Sequence, residues 1–204
     1  MTPLVVFLGT ALPFLVLLMI LMAWRIYPSL WAVVLGAFPV VATLALAVSE
    51  SAWVAVLVAD VAYVTILLRD LLTIPKRKWF QCERDHAKVA SLKKRHAVSL
   101  TITSSAPWPV RVLVRDDAEH ILQPTLALVP ALLTPGVRTV AEYELRPQRR
   151  GAFRLTSIQL RVWTRYRLWF RQLSYPCETV LDVYPDIKQI SEYAMLARLN
   201  RLSL

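Results

Sequence analysis

Three stretches near the start of the chain carry almost no polar side chains: Pro3 to Trp24, Leu30 to Val48 and Ala52 to Leu72. A bilayer core about 30 Å thick is crossed by about 20 helical residues. The pattern therefore predicts three membrane-spanning helices over 3–24, 30–48 and 52–72, making residues 1–74 a transmembrane bundle. Pro13 and Pro39 fall inside these runs and predict kinks, which lipid tolerates when neighbouring helices re-satisfy the freed carbonyls. A cleaved signal peptide is a poor match to the first run, because Met1-Thr2-Pro3 offers no basic residue ahead of it.

From His96 the pattern changes to period two, the mark of half-buried strands. Val98, Leu100 and Ile102 alternate with Ser99, Thr101 and Thr103, and Val110, Val112 and Val114 follow beyond the turn-like Ala106-Pro107-Trp108-Pro109. Pro124, Pro130 and Pro135 restrict the next stretch to short edge strands and loops. Tyr143, Leu145, Phe153 and Leu155 resume the alternation. Ile158, Leu160 and Val162 lie on the opposite parity, which predicts a bulge near Thr156-Ser157. Strands around Leu168-Phe170 and Val180–Tyr184 complete six or seven, and the expected fold of 96–186 is an all-β antiparallel sandwich. Residues 75–95 read as a basic juxtamembrane linker. Helical spacing of Ile187, Ile190, Tyr193, Ala194 and Ala197 predicts a terminal helix over 187–204.

Charge divides the chain at the same place. Residues 1–74 hold two arginines against three acids, a net charge of −1, so the formal +10 leaves +11 for residues 75–204. The basic Arg25–Ser29 loop, the acidic Ser49-Glu50-Ser51 loop and Pro75-Lys76-Arg77-Lys78 fit an odd number of spans with the β domain in the cytoplasm. The expected location is the bacterial inner membrane, multi-pass, and Cys82 and Cys177 are then expected as reduced thiols.

Candidate chemistry is sparse. Four glycines, Gly9, Gly36, Gly136 and Gly151, exclude a Walker or dinucleotide fingerprint. His86, His96 and His120 are too scattered for a metal site, and Cys82 with His86 makes only half of one. No Gly-x-Ser-x-Gly elbow occurs, and Asp116-Asp117 reads as a turn at the end of a strand. The expectation is a non-enzymatic chain with no cofactor and no metal. Asp60, midway along the third apolar run, is the one intramembrane polar candidate: either an ion-relay group or half of an interhelical hydrogen bond to Thr43 or Thr65.

One run stands apart. Every odd position from 161 to 171 is Arg or Trp: Arg161, Trp163, Arg165, Arg167, Trp169, Arg171. On adjacent strands these predict a basic, aromatic face for anionic headgroups, with single-stranded nucleic acid ranked below, or a solvated face of Arg stacked on Trp.

The order of these features resembles the bacterial family known as domain of unknown function fifty-eight. The residues that carry the likeness are Asp70 with the basic run after it, Glu83-Arg84, Val110 to Asp116, and the passage Tyr143-Glu144-Leu145-Arg146-Pro147-Gln148-Arg149-Arg150-Gly151-Ala152-Phe153-Arg154-Leu155. Leu168-Trp169, Arg171 and Val183-Tyr184-Pro185 follow in family order, while Arg167 stands where the family has glycine. The resemblance implies membrane spans before a β-sandwich, with the family's von Willebrand factor A-like domain missing beyond Leu204. It also implies partnership with a MoxR-type AAA+ ATPase or a von Willebrand-like chain. The expected function is a membrane-anchored scaffold presenting a basic β-sandwich to protein partners or the lipid bilayer. The alternative is a small transport or channel subunit using Asp60.

Overall fold

In a computed structural model, the protein is described over residues 19–44, 53–125 and 128–185. The terminal helix expected over 187–204, most of the first apolar run and the Ser49-Glu50-Ser51 loop lie outside the described residues.

Strands β1 (Ile26–Pro28), β9 (Trp169–Tyr184), β8 (Gly151–Trp163), β5 (Val110–Asp116) and β6 (Val129–Leu133) lie side by side in that order, and β3 (Val89–Ser91) also pairs with β9. A smaller sheet runs β2 (Phe80–His86), β4 (His96–Ser104), β7 (Arg138–Leu145). Alternation decides which side of each strand is buried. Val98, Leu100 and Ile102 from one sheet meet Val112, Val114, Leu155, Ile158, Leu160 and Val162 from the other, each almost wholly shielded from solvent.

Two details of this sandwich matter later. The register of β8 on β9 shifts between Leu155 and Ser157, at the predicted bulge, so that Leu155 and Ile158 both point inward. The ladder is mixed rather than wholly antiparallel, because β3 runs parallel to β9. Both β2 and β3 fall in the stretch read as a linker.

The expected three-span bundle is corrected by the helices themselves. Among the described residues no helix is long and apolar enough to cross a membrane. Within the described residues helix α1 runs Leu30–Leu44, 15 residues, about 22 Å at ~1.5 Å per residue, against about 30 Å of hydrocarbon. Helix α2 (Trp53–Leu71) is longer, at 19 residues, but Asp60, Arg69 and Asp70 interrupt its apolar character. The three-span fold class and the multi-pass inner-membrane location are withdrawn together, and the orientation argument that put the β domain in the cytoplasm goes with them.

The two helices pack on each other where Gly36 leaves room for the Tyr63 ring, whose hydroxyl donates to the Ala32 carbonyl at 3.2 Å. They are also joined to the larger sheet. Ile26–Pro28 forms its edge strand β1, and Leu21, Ile26, Ala32, Leu67, Leu168 and Trp169 bury one another in a second, smaller core.

The joint is polar at its centre. Asp70, fully buried near the end of α2, accepts hydrogen bonds from the Thr164 hydroxyl at 2.5 Å, the Tyr166 amide at 2.9 Å and the Leu168 amide at 3.0 Å. One carboxylate thus satisfies three donors of the β8–β9 turn, two of which, the Thr164 hydroxyl and the Leu168 amide, would otherwise be stranded away from water. The indole of Trp169 donates to the Leu67 carbonyl at 3.0 Å, and Ser29 donates through its amide to Leu168 and through its hydroxyl to Arg167. Arg167 itself takes φ 66°, the left-handed region that glycine enters more cheaply.

Candidate functional site

The Arg/Trp run does not form one face. In an antiparallel pair, residues directly opposite share a face. Here Trp163 lies opposite Phe170 and Arg161 opposite Gln172. Odd positions of β8 therefore share a side with even positions of β9. Arg161 and Trp163 point outward, Arg165 and Arg167 occupy the exposed turn, and Trp169 and Arg171 point inward. Trp169 is buried in the helix–sheet joint, and the buried Arg171 Nε has no hydrogen-bond partner among the described residues.

What replaces the expected stripe is broader. On the outer side of the larger sheet the rings of Tyr27, Phe170 and Trp163 follow one another across three strands, with centroids 5.5 and 6.2 Å apart. The Arg161 guanidinium lies over Phe170 at 5.0 Å. Leu113, opposite Arg161, and Pro130, opposite Leu113, continue the surface onto β5 and β6.

Two shallow hollows mark this face. One, of about 410 Å³, is bordered by Arg111, Leu113, Leu132, Trp163 and Arg167. The other, of about 570 Å³, is bordered by Arg25, Tyr27, Leu113, Arg115, Arg161 and Gln172. Together they bring five arginines around Leu113, which borders both, with no carboxylate in either lining. Among the described residues none of the five makes an ion pair. Reading from sequence found Arg161, Trp163 and Arg167 and missed Arg25, Tyr27, Arg111, Arg115 and Phe170, since only sheet order brings β1, β5 and β9 together.

The chain's best-buried charges serve the interior. Arg84 crosses from β2 to the larger sheet with no exposed side-chain surface, and Asp116 is 3% exposed. Arg84 Nε donates to Asp116 Oδ2 at 2.9 Å, and Nη2 donates to Oδ1. Nη1 donates to the carbonyls of Cys177 at 2.6 Å and Leu155 at 3.1 Å and to the Thr179 hydroxyl at 2.8 Å. Tyr143, on the third strand of the smaller sheet, donates to Asp116 Oδ2 at 2.5 Å. Burial, with the Asp116 charge next, pushes the Tyr143 phenol well above its ordinary value. Asp116 is thus the centre of a clasp between sheets rather than the solvated turn residue expected.

Neither Asp60 nor any histidine joins a site. Asp60 is exposed on α2, and the Thr65 hydroxyl is bonded to the Val61 carbonyl of its own helix. Among the described residues no group of three or more His, Cys, Asp or Glu is placed to hold a metal ion. The transport reading of Asp60 falls with the spanning helices.

No protein-family model matches the chain, and no curated protein matches it. The resemblance to domain of unknown function fifty-eight is thereby overturned, together with the ATPase and von Willebrand-like partners it implied. The membrane-anchored scaffold and the lipid bilayer as partner are corrected by the absence of a spanning helix among the described residues.

Solved structures give a partial likeness. A crystal structure of the CARDB domain of the PF1109 protein from Pyrococcus furiosus, in complex with di-metal ions, is 13% identical. It covers 52% of this chain and 87% of that one at a TM-score of 0.32. A solution structure of the same domain gives 12% identity, 53% and 96% coverage and a TM-score of 0.34. Pseudomonas fluorescens alkylpurine DNA glycosylase AlkC, bound to DNA containing an abasic site analog, gives 17%, 54% and 35% with a TM-score of 0.25. At these scores no metal, DNA or reaction passes from those proteins to this chain, and its site rests on its own residues.

Proposed function

We propose that this chain is a non-enzymatic contact module whose outer sheet face binds acidic segments of protein partners. The observation that carries the reading is the acid-free surface of Arg25, Arg111, Arg115, Arg161 and Arg167 around Leu113, Trp163 and Phe170. Arginine on a rigid sheet offers planar, bidentate donors to carboxylates. The aromatic and leucine floor supplies contact area that charge alone does not. The face is preformed, because the aromatic rings and Arg161 already stack on one another, so little side-chain freedom is lost on binding.

The test is a titration of the full chain with a labelled peptide that mixes Glu and Asp with Leu and Phe, beside the same peptide carrying Gln and Asn. The acidic peptide binds and the amide peptide does not. Exposed arginine–carboxylate pairs are worth about 0.2–1 kcal/mol each. Arg115→Gln and Arg161→Gln therefore each weaken binding by roughly 1.4-fold to fivefold, and Trp163→Ser weakens it further. Equal binding of both peptides, or displacement of the acidic peptide by a single-stranded oligonucleotide, refutes the reading.

A further inference from the structure

The two cysteines of the chain come from different sheets, on strands that run alongside each other at one edge of the sandwich. Cys82 is on β2 and Cys177 on β9, both half-buried and packed against the main core. Two hydrogen bonds bracket them. The Tyr175 hydroxyl donates to the Arg77 carbonyl at 2.6 Å, and Arg84 Nη1 donates to the Cys177 carbonyl at 2.6 Å. Residues 175–177 of β9 therefore run alongside residues 77–84. Cys82 lies inside that stretch, on the same side of β2 as Arg84, since side chains two apart on a strand share a face. Burial, and after it Cys177, pushes Cys82 up to about 12.

We propose that Cys82 and Cys177 form a reversible disulfide between the two sheets when the chain meets a disulfide oxidant such as glutathione disulfide. One thiolate attacks a glutathione sulfur, breaking the S–S bond and expelling glutathione thiolate, which takes up a proton. The second thiol loses its proton and attacks the protein sulfur of the mixed disulfide, expelling the second glutathione. Two protein thiols are oxidised, one glutathione disulfide is reduced to two glutathiones, and no other reagent enters. The thiolate is the attacking species, so the step that needs Cys82 is slow at neutral pH and quickens as pH rises. The link would close the edge that Arg84 and Tyr175 already hold by hydrogen bonds. The inference does not depend on the acidic-partner reading.

The experiment incubates the purified full chain in reduced and oxidised glutathione mixtures, then counts thiols in denaturant and measures intact mass. Both thiols disappear together, the mass falls by two hydrogens, and a non-reduced peptide map joins Cys82 to Cys177. Dithiothreitol reverses the change, and the thermal midpoint of the oxidised chain shifts upward. The variant Cys82→Ser gains one glutathione at Cys177 and no internal link. Retention of both thiols under strong oxidant, glutathione on both cysteines, or disulfide dimers would overturn the proposal.

Discussion

The Arg84 side chain has no exposed surface, yet it is bonded to a carboxylate, a hydroxyl and strand carbonyls. Removing one partner of such a pair leaves an uncompensated buried charge, which costs about 3–5 kcal/mol. Arg84→Met is expected to lose that much in urea unfolding. Adding Asp116→Leu and Tyr143→Phe recovers the charge penalty only, because the Leu155 and Cys177 carbonyls still lack their donor, at about 1–3 kcal/mol each. A triple variant as stable as the wild type would show that those carbonyls find other partners.

Cys82 makes a prediction of different sign. Its folded-state value is raised above the ordinary 9.0, so its contribution to stability is intact below about 9 and is lost as pH climbs toward about 12. Burial moves Tyr143 and Tyr175 the same way. Denaturant midpoints of the reduced chain should fall across that window, and Cys82→Ala should flatten the early part of the fall. The reason none of this was legible in the sequence is local. An inward charge at Arg84 breaks the apolar alternation of Phe80-Gln81-Cys82-Glu83-Arg84, so the strand that carries the clasp looks like a basic linker.

At the scale of elements, alternation located the core strands from His96 onward and even the bulge near Thr156-Ser157, because each is decided by neighbours in sequence, but it passed over β2 and β3, which carry Phe80 and Ala90 into the same core. It could not say which strands lie side by side. The Arg/Trp run failed as a single surface because the turn at Thr164–Leu168 sets odd residues of β8 against even residues of β9, a property of register rather than composition. Length misled in the opposite sense. The apolar runs are real, but over the described residues the helices within them are shorter or interrupted by charge, and one of those charges, Asp70, is turned toward the sheet.

Asp70→Ala removes the acceptor for the buried Leu168 amide and Thr164 hydroxyl and for the part-buried Tyr166 amide. With hydrogen bonds to a charged group worth about 1.5–3 kcal/mol, a loss of roughly 3 kcal/mol or more is expected. Amide hydrogen exchange should rise first at Tyr166 and Leu168. Exchange that stays at the wild-type level there would mean the turn holds its shape without the helix.

On the whole molecule the charges sort by place. Arg84 and Asp116 are paired across the sheets and Asp70 is satisfied at the helix–sheet joint, while among the described residues five arginines on one outer surface make no ion pair. Interactions of exposed charges are screened over about 8–10 Å near physiological salt. Binding of the acidic peptide should therefore weaken steadily as salt is raised, whereas unfolding of the Arg84 variant relative to wild type should change little. A peptide affinity indifferent to salt would place its binding energy in Leu113, Trp163 and Phe170 instead.

The joint around Asp70 bears on where this chain divides. Composition invites a cut at Pro75, between apolar helices and basic strands. A chain started there would lose β1, baring the rim of β9 as an open template for other strands, the kind of edge from which aggregation begins. It would also uncover Leu168 and Trp169 and leave the Thr164–Leu168 turn without its carboxylate. Heredity can therefore exchange the two parts less freely than their compositions suggest: recombination at that boundary would deliver a sandwich prone to clump, and a shuffled partner would need its own acid at the position of Asp70.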